Sequence, residues 1–366
     1  MKKQVFSIIA CIAYVQAMLA YPKKMVINTP VVNLNFKPEY IDPSVTLPTL
    51  VTTNPLLITQ MLMNEYVCAN YEYTDQDGNR WLNINAIQQE NFITPLGWHG
   101  YPGWIPAHQA KEVSEYPSYN VVIKSLTAEM EDHAGNLLQT FSMGTRFKAV
   151  KVDKEYWKVT LENNHNAYFQ DTDIYHIKPK VKESIQELRH SIIETAKKFL
   201  DFPYSWGGRT AYNQGFGNIS SVDCSGLLNV SFLAHGLQIP RMSKDQFLHS
   251  LEIKDGSELN PADFIFFASV HKNPIQTSLN KHPLHIDHVM MYIGNNEMIE
   301  STGAEDAMNV RVIDCTKRIG KACHDITSGE IVTYNDEKYY VYFGTFFTEE
   351  MIQTLRNDAL KSNYEI

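Results

Sequence analysis

Cys224, His288 and Glu300 are the side chains of this 366-residue chain whose types and settings best suit nucleophilic chemistry. Cys224 lies in Ser221-Val222-Asp223-Cys224-Ser225-Gly226, and Leu227, Leu228, Val230, Phe232 and Leu233 continue as an apolar run that reads as a buried helix. Asp223 and Ser225 suit a first helical turn, so the cysteine is expected at a helix N-terminus. Unpaired amides and the positive end of the helix dipole favour a thiolate there. An arbitrary cysteine is more often a small core residue. Here the polar neighbours and a base downstream argue for chemistry. Asp287 to Gly294 reads as a strand, Gly294-Asn295-Asn296 as a turn, and Glu297 to Thr302 as a strand returning in a hairpin. That hairpin can make His288 and Glu300 cross-strand neighbours on one face. A carboxylate beside an imidazole fixes its tautomer and stabilises its protonated form, which helps it take a proton from a thiol. Cysteine, histidine and an orienting polar group together follow the logic of a catalytic triad.

Asp223-Cys224-Ser225-Gly226, the approach Tyr204-Ser205-Trp206-Gly207-Gly208, and Asp287-His288-Val289 followed by Tyr292-Ile293-Gly294 together resemble the NlpC/P60 family. These are papain-like cysteine peptidases that cut peptidoglycan stem peptides. Leu259 to Phe267 resembles the family's strand between the cysteine and histidine segments, and the matches run in order over roughly residues 185–345. The resemblance implies cleavage between D-glutamate, linked through its side-chain carboxyl, and the diamino acid. It gives Cys224 the attack, His288 the proton and Glu300 the orientation of His288. The Cys224 amide, with the Tyr204 hydroxyl, would stabilise the oxyanion. Tyr204, Trp206, Asp223, Ser225, Arg241 and Ser243 are expected to bind the peptide. Helix capping is the competing role for Asp223 and Ser225, and a structural role for Arg241.

Two positions depart from the family pattern. The third catalytic position, twelve residues after the histidine, is most often histidine and sometimes asparagine or glutamine; here 288 + 12 gives Glu300. A glutamate can orient the ring, but its charge is expected to bind the imidazolium more tightly. Members that require a free N-terminal L-Ala resemble this chain at Pro240-Arg241-Met242-Ser243, yet place an aspartate where Met242 stands. Methionine cannot pair with an ammonium, which leaves that task to Asp245 or to an acid from another domain. The alternatives are an amidase or acyl transferase using the same thiol, and an inactive wall-binding scaffold.

Composition narrows the class further. A net charge of −9 argues against a nucleic-acid partner, which needs a basic surface. Met1-Lys2-Lys3, the apolar run from Val5 to about Tyr14, and small residues at Ala17 and Ala20 read as a secretory signal over 1–20. A lipoprotein signal ending at Cys11 is the competing reading. No later segment reaches the ~20 apolar residues of a spanning helix. A secreted or periplasmic monomer acting on peptidoglycan or muropeptides is expected. Cys315 and Cys323 could pair, although spacing alone does not establish it. Neither a CxxC nor a metal-ligand spacing is present, so no cofactor or metal is expected, and the cluster of His282 and His285 with His288 reads as a polar loop beside the catalytic histidine rather than a zinc site.

The elements that must position these residues follow in order. Residues 21–47 read as an extended linker. Short apolar runs broken by turn signals, with tryptophan-led segments at Trp81 and Trp157, suggest two small β-barrels over 48–113 and 119–179. Both resemble bacterial SH3 domains, and Gly100-Tyr101-Pro102-Gly103-Trp104-Ile105-Pro106 resembles the closing segment of the first such domain in three-domain cell-wall peptidases. From 180 to 348 the pattern becomes α+β, with helices packed on an antiparallel sheet in a papain-like domain. A short helix and frayed tail are expected over 349–366.

Overall fold

A computed structural model describes residues 21–40, 56–93, 96–212, 220–273, 285–304 and 307–365. The expected signal segment, His282 and most of the loop before Cys224 lie outside these residues. No helix among the described residues is long and apolar enough to cross a membrane.

The N-terminal half is β-rich. Strands β1 (Lys23–Ile27), β2 (Val31–Asn35), β3 (Leu57–Leu62), β4 (Tyr66–Thr74), β5 (Arg80–Ile93), β6 (Gly97–Pro106) and β7 (Ala110–Glu112) form one sheet ordered β3-β2-β6-β5-β4-β1-β7. Alternation along β5 puts Leu82, Ile84 and Ala86 into an apolar core with Ile27, Val67 and Ile105. The β4–β5 turn is held by Asp75, whose carboxylate accepts the Asp77 and Asn79 amides and the Trp81 indole N–H at 3.0 Å. Residues 21–47 were expected as a linker. Instead β1 pairs with β4 and β7, and β2 with β3 and β6, because Met25, Ile27, Val32 and Leu34 alternate into the same core.

A second β unit follows, with β8 (Val121–Ile123), β9 (Thr127–Glu131), β10 (Leu137–Ser142), β11 (Arg146–Phe147), β12 (Ala149–Lys151), β13 (Tyr156–Thr160), β14 (Asn166–Gln170) and β15 (Ile174–His176) in five- and three-stranded sheets. Its core is aromatic, with Phe141, Phe147, Phe169 and Trp157 in contact. The Trp157 indole donates to Asp171 at 2.6 Å. Each unit thus ties one buried tryptophan to an aspartate.

The C-terminal half mixes helix and strand. Helix α1 (Ile185–Lys197) starts with a capping box between Ser184 and Glu187 and buries Leu188, Ile192, Ile193 and Ala196. Helix α2 (Cys224–Leu233) is buried along its whole length, and α3 (Ser243–His249) follows. They pack on an antiparallel sheet ordered β18 (Leu251–Ile253), β24 (Glu337–Thr345), β19 (Phe264–Ser269), β20 (Ile286–Gly294), β21 (Glu297–Ser301) and β22 (Val310–Asp314), with β23 (Glu330–Tyr334) on β24. The short β16 (Arg209–Thr210) and β17 (Ser221–Val222) pair ahead of α2. Phe232, Phe264 and Phe346 meet edge to face beneath α2, each burial contributing about 1.5–3 kcal/mol. Helix α4 (Cys315–Ile319) is tied to the following turn by a Cys315–Cys323 disulfide.

The C-terminal segment is not frayed. Helix α5 (Glu349–Leu360) buries Ile352, Leu355 and Ala359, and the fully buried Arg356 donates to the carbonyls of Lys178 and His235. Beyond it, Tyr364 packs against Tyr66 and Tyr116 of the first β unit. Local pattern marks a helix there but cannot show that an arginine bridges two distant loops.

Candidate active site

Cys224 is the first residue of α2, and Asp223 is its N-cap: Oδ1 accepts the Gly226 amide at 2.7 Å. A side chain at Gly226 would drive its Cβ to 2.2 Å from the Gly208 carbonyl oxygen, so only glycine lets the helix start this close to the preceding turn. That turn is set by Gly207 at φ +76°, whose amide donates to Asp223 Oδ2 at 3.0 Å. The sequence thus fixes the sulfur between a capped helix and a tight glycine turn.

The helix start was expected to favour a thiolate. The structure shows burial winning instead: it pushes the Cys224 thiol up to about 12, aided by the Asp223 charge and opposed by Arg241 and by the amides of Val289 and Ser225. Helix α2, which Cys224 begins, packs against β20, the strand that carries His288. The Nε2 of His288 lies 2.7 Å from Glu300 Oε2, which leaves Nδ1 as its other polar atom. The pairing is diagonal across β20 and β21, since Met291 and Ile299 are the directly opposed residues.

Glu300 is buried and shared. Its Oε1 accepts Arg311 Nε at 2.9 Å and Arg318 Nε at 3.2 Å, and its Oε2 accepts Arg318 Nε at 3.1 Å. Burial alone would raise its pKa. The hydrogen bond and charge of His288, with the charges of Arg318 and Arg311, outweigh burial and hold the carboxyl at about 2. One carboxylate and two guanidiniums leave this cluster positive before the imidazole takes a proton. Arg318 stacks over Tyr334 at 3.8 Å and sits on α4, inside the disulfide loop. Reasoning from the sequence missed both arginines, because the β21–β22 register and the fold of α4 bring them in. The one available signal was Arg311 directly opposite Glu300 in a β-ladder.

The expected peptide-binding residues line a cavity of about 520 Å³ with Cys224: Tyr204, Trp206, Asp223, Ser225, Arg241 and Ser243. Several are already committed to the protein. Arg241, 2 % exposed, donates to both Asp223 oxygens at 2.9 and 2.7 Å, to Ser225 Oγ at 2.9 Å and to Thr59 Oγ1 at 2.8 Å. Ser243 Oγ donates to the Ile286 carbonyl at 3.1 Å. Trp206 is half exposed on the rim. Burial raises the Tyr204 hydroxyl well above its ordinary range, followed by the Cys224 and Asp223 charges, so it stays protonated and able to donate. The first β unit adds Phe36, Leu57, Ile58 and Tyr101 to the walls. It is locked on by a fully buried pair, Arg209 and Glu65, at 2.6 Å. Among the described residues no cluster suited to a metal ion occurs.

Part of the chain is similar to known proteins. Residues 201–319 match the NlpC/P60 family model. The gamma-D-glutamyl-L-lysine dipeptidyl-peptidase of Bacillus cereus is 29% identical over 262 residues, covering 69% of this chain and 70% of that protein. A protein of the same name from Bacillus subtilis is 24% identical, covering 73% and 79%. The crystal structure of an NlpC/P60 family protein from Bacillus cereus superposes with a TM-score of 0.57 at 25% identity, over 80% of this chain and 94% of that one.

Proposed function

Because residues 201–319 form an NlpC/P60 domain, a cysteine-type hydrolase homologous to gamma-D-glutamyl-L-lysine dipeptidyl-peptidases, we propose that this protein is an exported enzyme that hydrolyses peptidoglycan stem peptides at the γ-D-glutamyl–diamino acid bond. The observation that carries this reading is Cys224 at a helix start on the wall of a cavity, with its helix packed on the strand that bears a carboxylate-held His288. Export rests on the signal-like residues 1–20. The two β units, read as SH3-like barrels over 48–113 and 119–179, serve as buttress and wall for the catalytic domain over 180–348.

The proposed chemistry starts from a neutral pair. His288 Nδ1 takes the Cys224 proton as the sulfur attacks the carbonyl carbon. A thiol held high by burial needs this base at the moment of attack, so proton transfer and bond formation belong together. The Cys224 amide and the Tyr204 hydroxyl receive the oxyanion. The imidazolium, oriented by Glu300, then protonates the departing amine, and water delivered through the same base hydrolyses the thioester. Mass analysis of defined muropeptides tests the bond assignment. We expect fragments ending in γ-D-glutamate from the wild type and none from Cys224→Ala. Release of the whole stem would identify an amidase instead.

A further inference from the structure

We propose that the cavity beside Cys224 takes a stem peptide whose N-terminus is acyl-blocked and uncharged, and discriminates against a free peptide amine. This rests on the reading of Cys224 as the nucleophile and adds the class of substrate.

The argument is an account of the carboxylates. An ammonium leaving water for a pocket wall needs a negative partner with lone pairs to spare. Among the described residues, only Asp223 and Asp287 bring carboxylates to the cavity. Asp223 has none to spare: Oδ1 takes Arg241, Gly226 and Ser225, and Oδ2 takes Arg241 and Gly207. Asp287 is likewise engaged, with Lys272 and His285 at Oδ1 and the Ser269 amide at Oδ2. Asp245, the acid that sequence offered as a substitute, is fully buried and does not line the cavity. One of its oxygens accepts the Phe92 amide at 3.1 Å across the contact with the first β unit, and the other is buried without a hydrogen-bond partner. Among the described residues, the first β unit contributes no acid to the cavity either.

What the cavity does offer is apolar. Phe36, Leu57, Ile58, Tyr101 and Met242 face it together, and its cations are Arg241, paired with Asp223, Lys272, paired with Asp287, and Lys244, which donates to the Phe92 carbonyl. A free amine entering here meets hydrocarbon and carboxylates whose charge is already matched by these cations. An amide-capped terminus carries no charge and pairs its methyl or lactyl group with that wall. Such a terminus occurs on stem peptides still attached to their glycan, and on soluble muropeptides released with the sugar in place.

The test compares matched peptides, L-Ala-γ-D-Glu-L-Lys with and without N-acetylation, on the full mature chain. We expect kcat/KM for the capped peptide to exceed that for the free amine by at least tenfold at pH 7. The ratio should narrow as pH rises through the amine pKa of ~8, where the free peptide loses its charge. Met242→Asp should shift the ratio at least tenfold toward the free amine. A wild-type preference for the free amine, or a ratio flat across pH, overturns the proposal while the hydrolase reading stands. Asp245→Asn that selectively removes free-amine cleavage overturns it too, by identifying that acid as the amine's partner. Cleavage of neither peptide, with intact sacculi and released disaccharide muropeptides also untouched, overturns the hydrolase reading itself. If it stands, faster turnover of sacculi than of the released muropeptides identifies intact wall as the source of the blocked substrate.

Discussion

Two carboxylates flank the proposed reaction centre, and both are gripped by arginine, yet they do different work. Asp223, on the sulfur side, spends its oxygens on Arg241, on the Gly207 and Gly226 amides and on Ser225. It shapes backbone, and its charge works against ionisation of the adjacent thiol. Glu300, on the imidazole side, spends one oxygen on His288 and shares both with arginines. It touches the reacting group. A carboxylate–arginine pair is thus a scaffold when its lone pairs end on amides, and an orienting device when one ends on an imidazole. This difference also shows how a glutamate can stand where a neutral residue is usual: Arg311 and Arg318 supply the compensating charge.

Four measurements separate the role of Asp223 from that of Glu300. Cys224→Ala and His288→Ala should each lower kcat/KM by more than ~10³-fold with thermal stability retained, because they remove the groups that exchange the proton. Arg241→Met should cost about 3–5 kcal/mol of stability by leaving Asp223 buried and unpaired, read as a fall in denaturation midpoint. In the fraction that stays folded, the pH profile should keep its shape. Acid should act through Glu300, whose folded-state value near 2 lies below the ordinary 4.5. Its depressed value gives stability that is present above pH 4.5 and lost as pH falls toward 2, roughly 3 kcal/mol in all. Denaturant titrations across that window should show the loss, and Glu300→Gln should abolish this component. Finally, Glu300→Gln should lower kcat by about 10- to 100-fold and move the acid limb of the pH–rate profile, where His288 must be unprotonated to act as base. An unmoved limb would make Glu300 a scaffold like Asp223, and the contrast would disappear.

Much of this was legible from the chain. The helix start at Cys224, the β20–β21 hairpin, the His288–Glu300 partnership and the β-rich first half follow from local pattern: apolar periodicity, a capping aspartate, Gly-Asn turns and residue alternation. These features depend on neighbours a few residues apart, so sequence order nearly is spatial order. What the tertiary structure alone decided concerns groups brought together from far along the chain. Residues 23–35 became strands because a sheet needed them, although nothing local distinguishes such strands from an extended linker. The thiol was pushed up rather than down, since burial is set by everything packed over the sulfur and outweighs one helix dipole. Arg241 turned inward to Asp223 and Thr59 instead of outward to peptide, and Arg311 and Arg318 met at Glu300. Long-range charge pairing and desolvation depend on distances in space, which spacing along a chain does not encode.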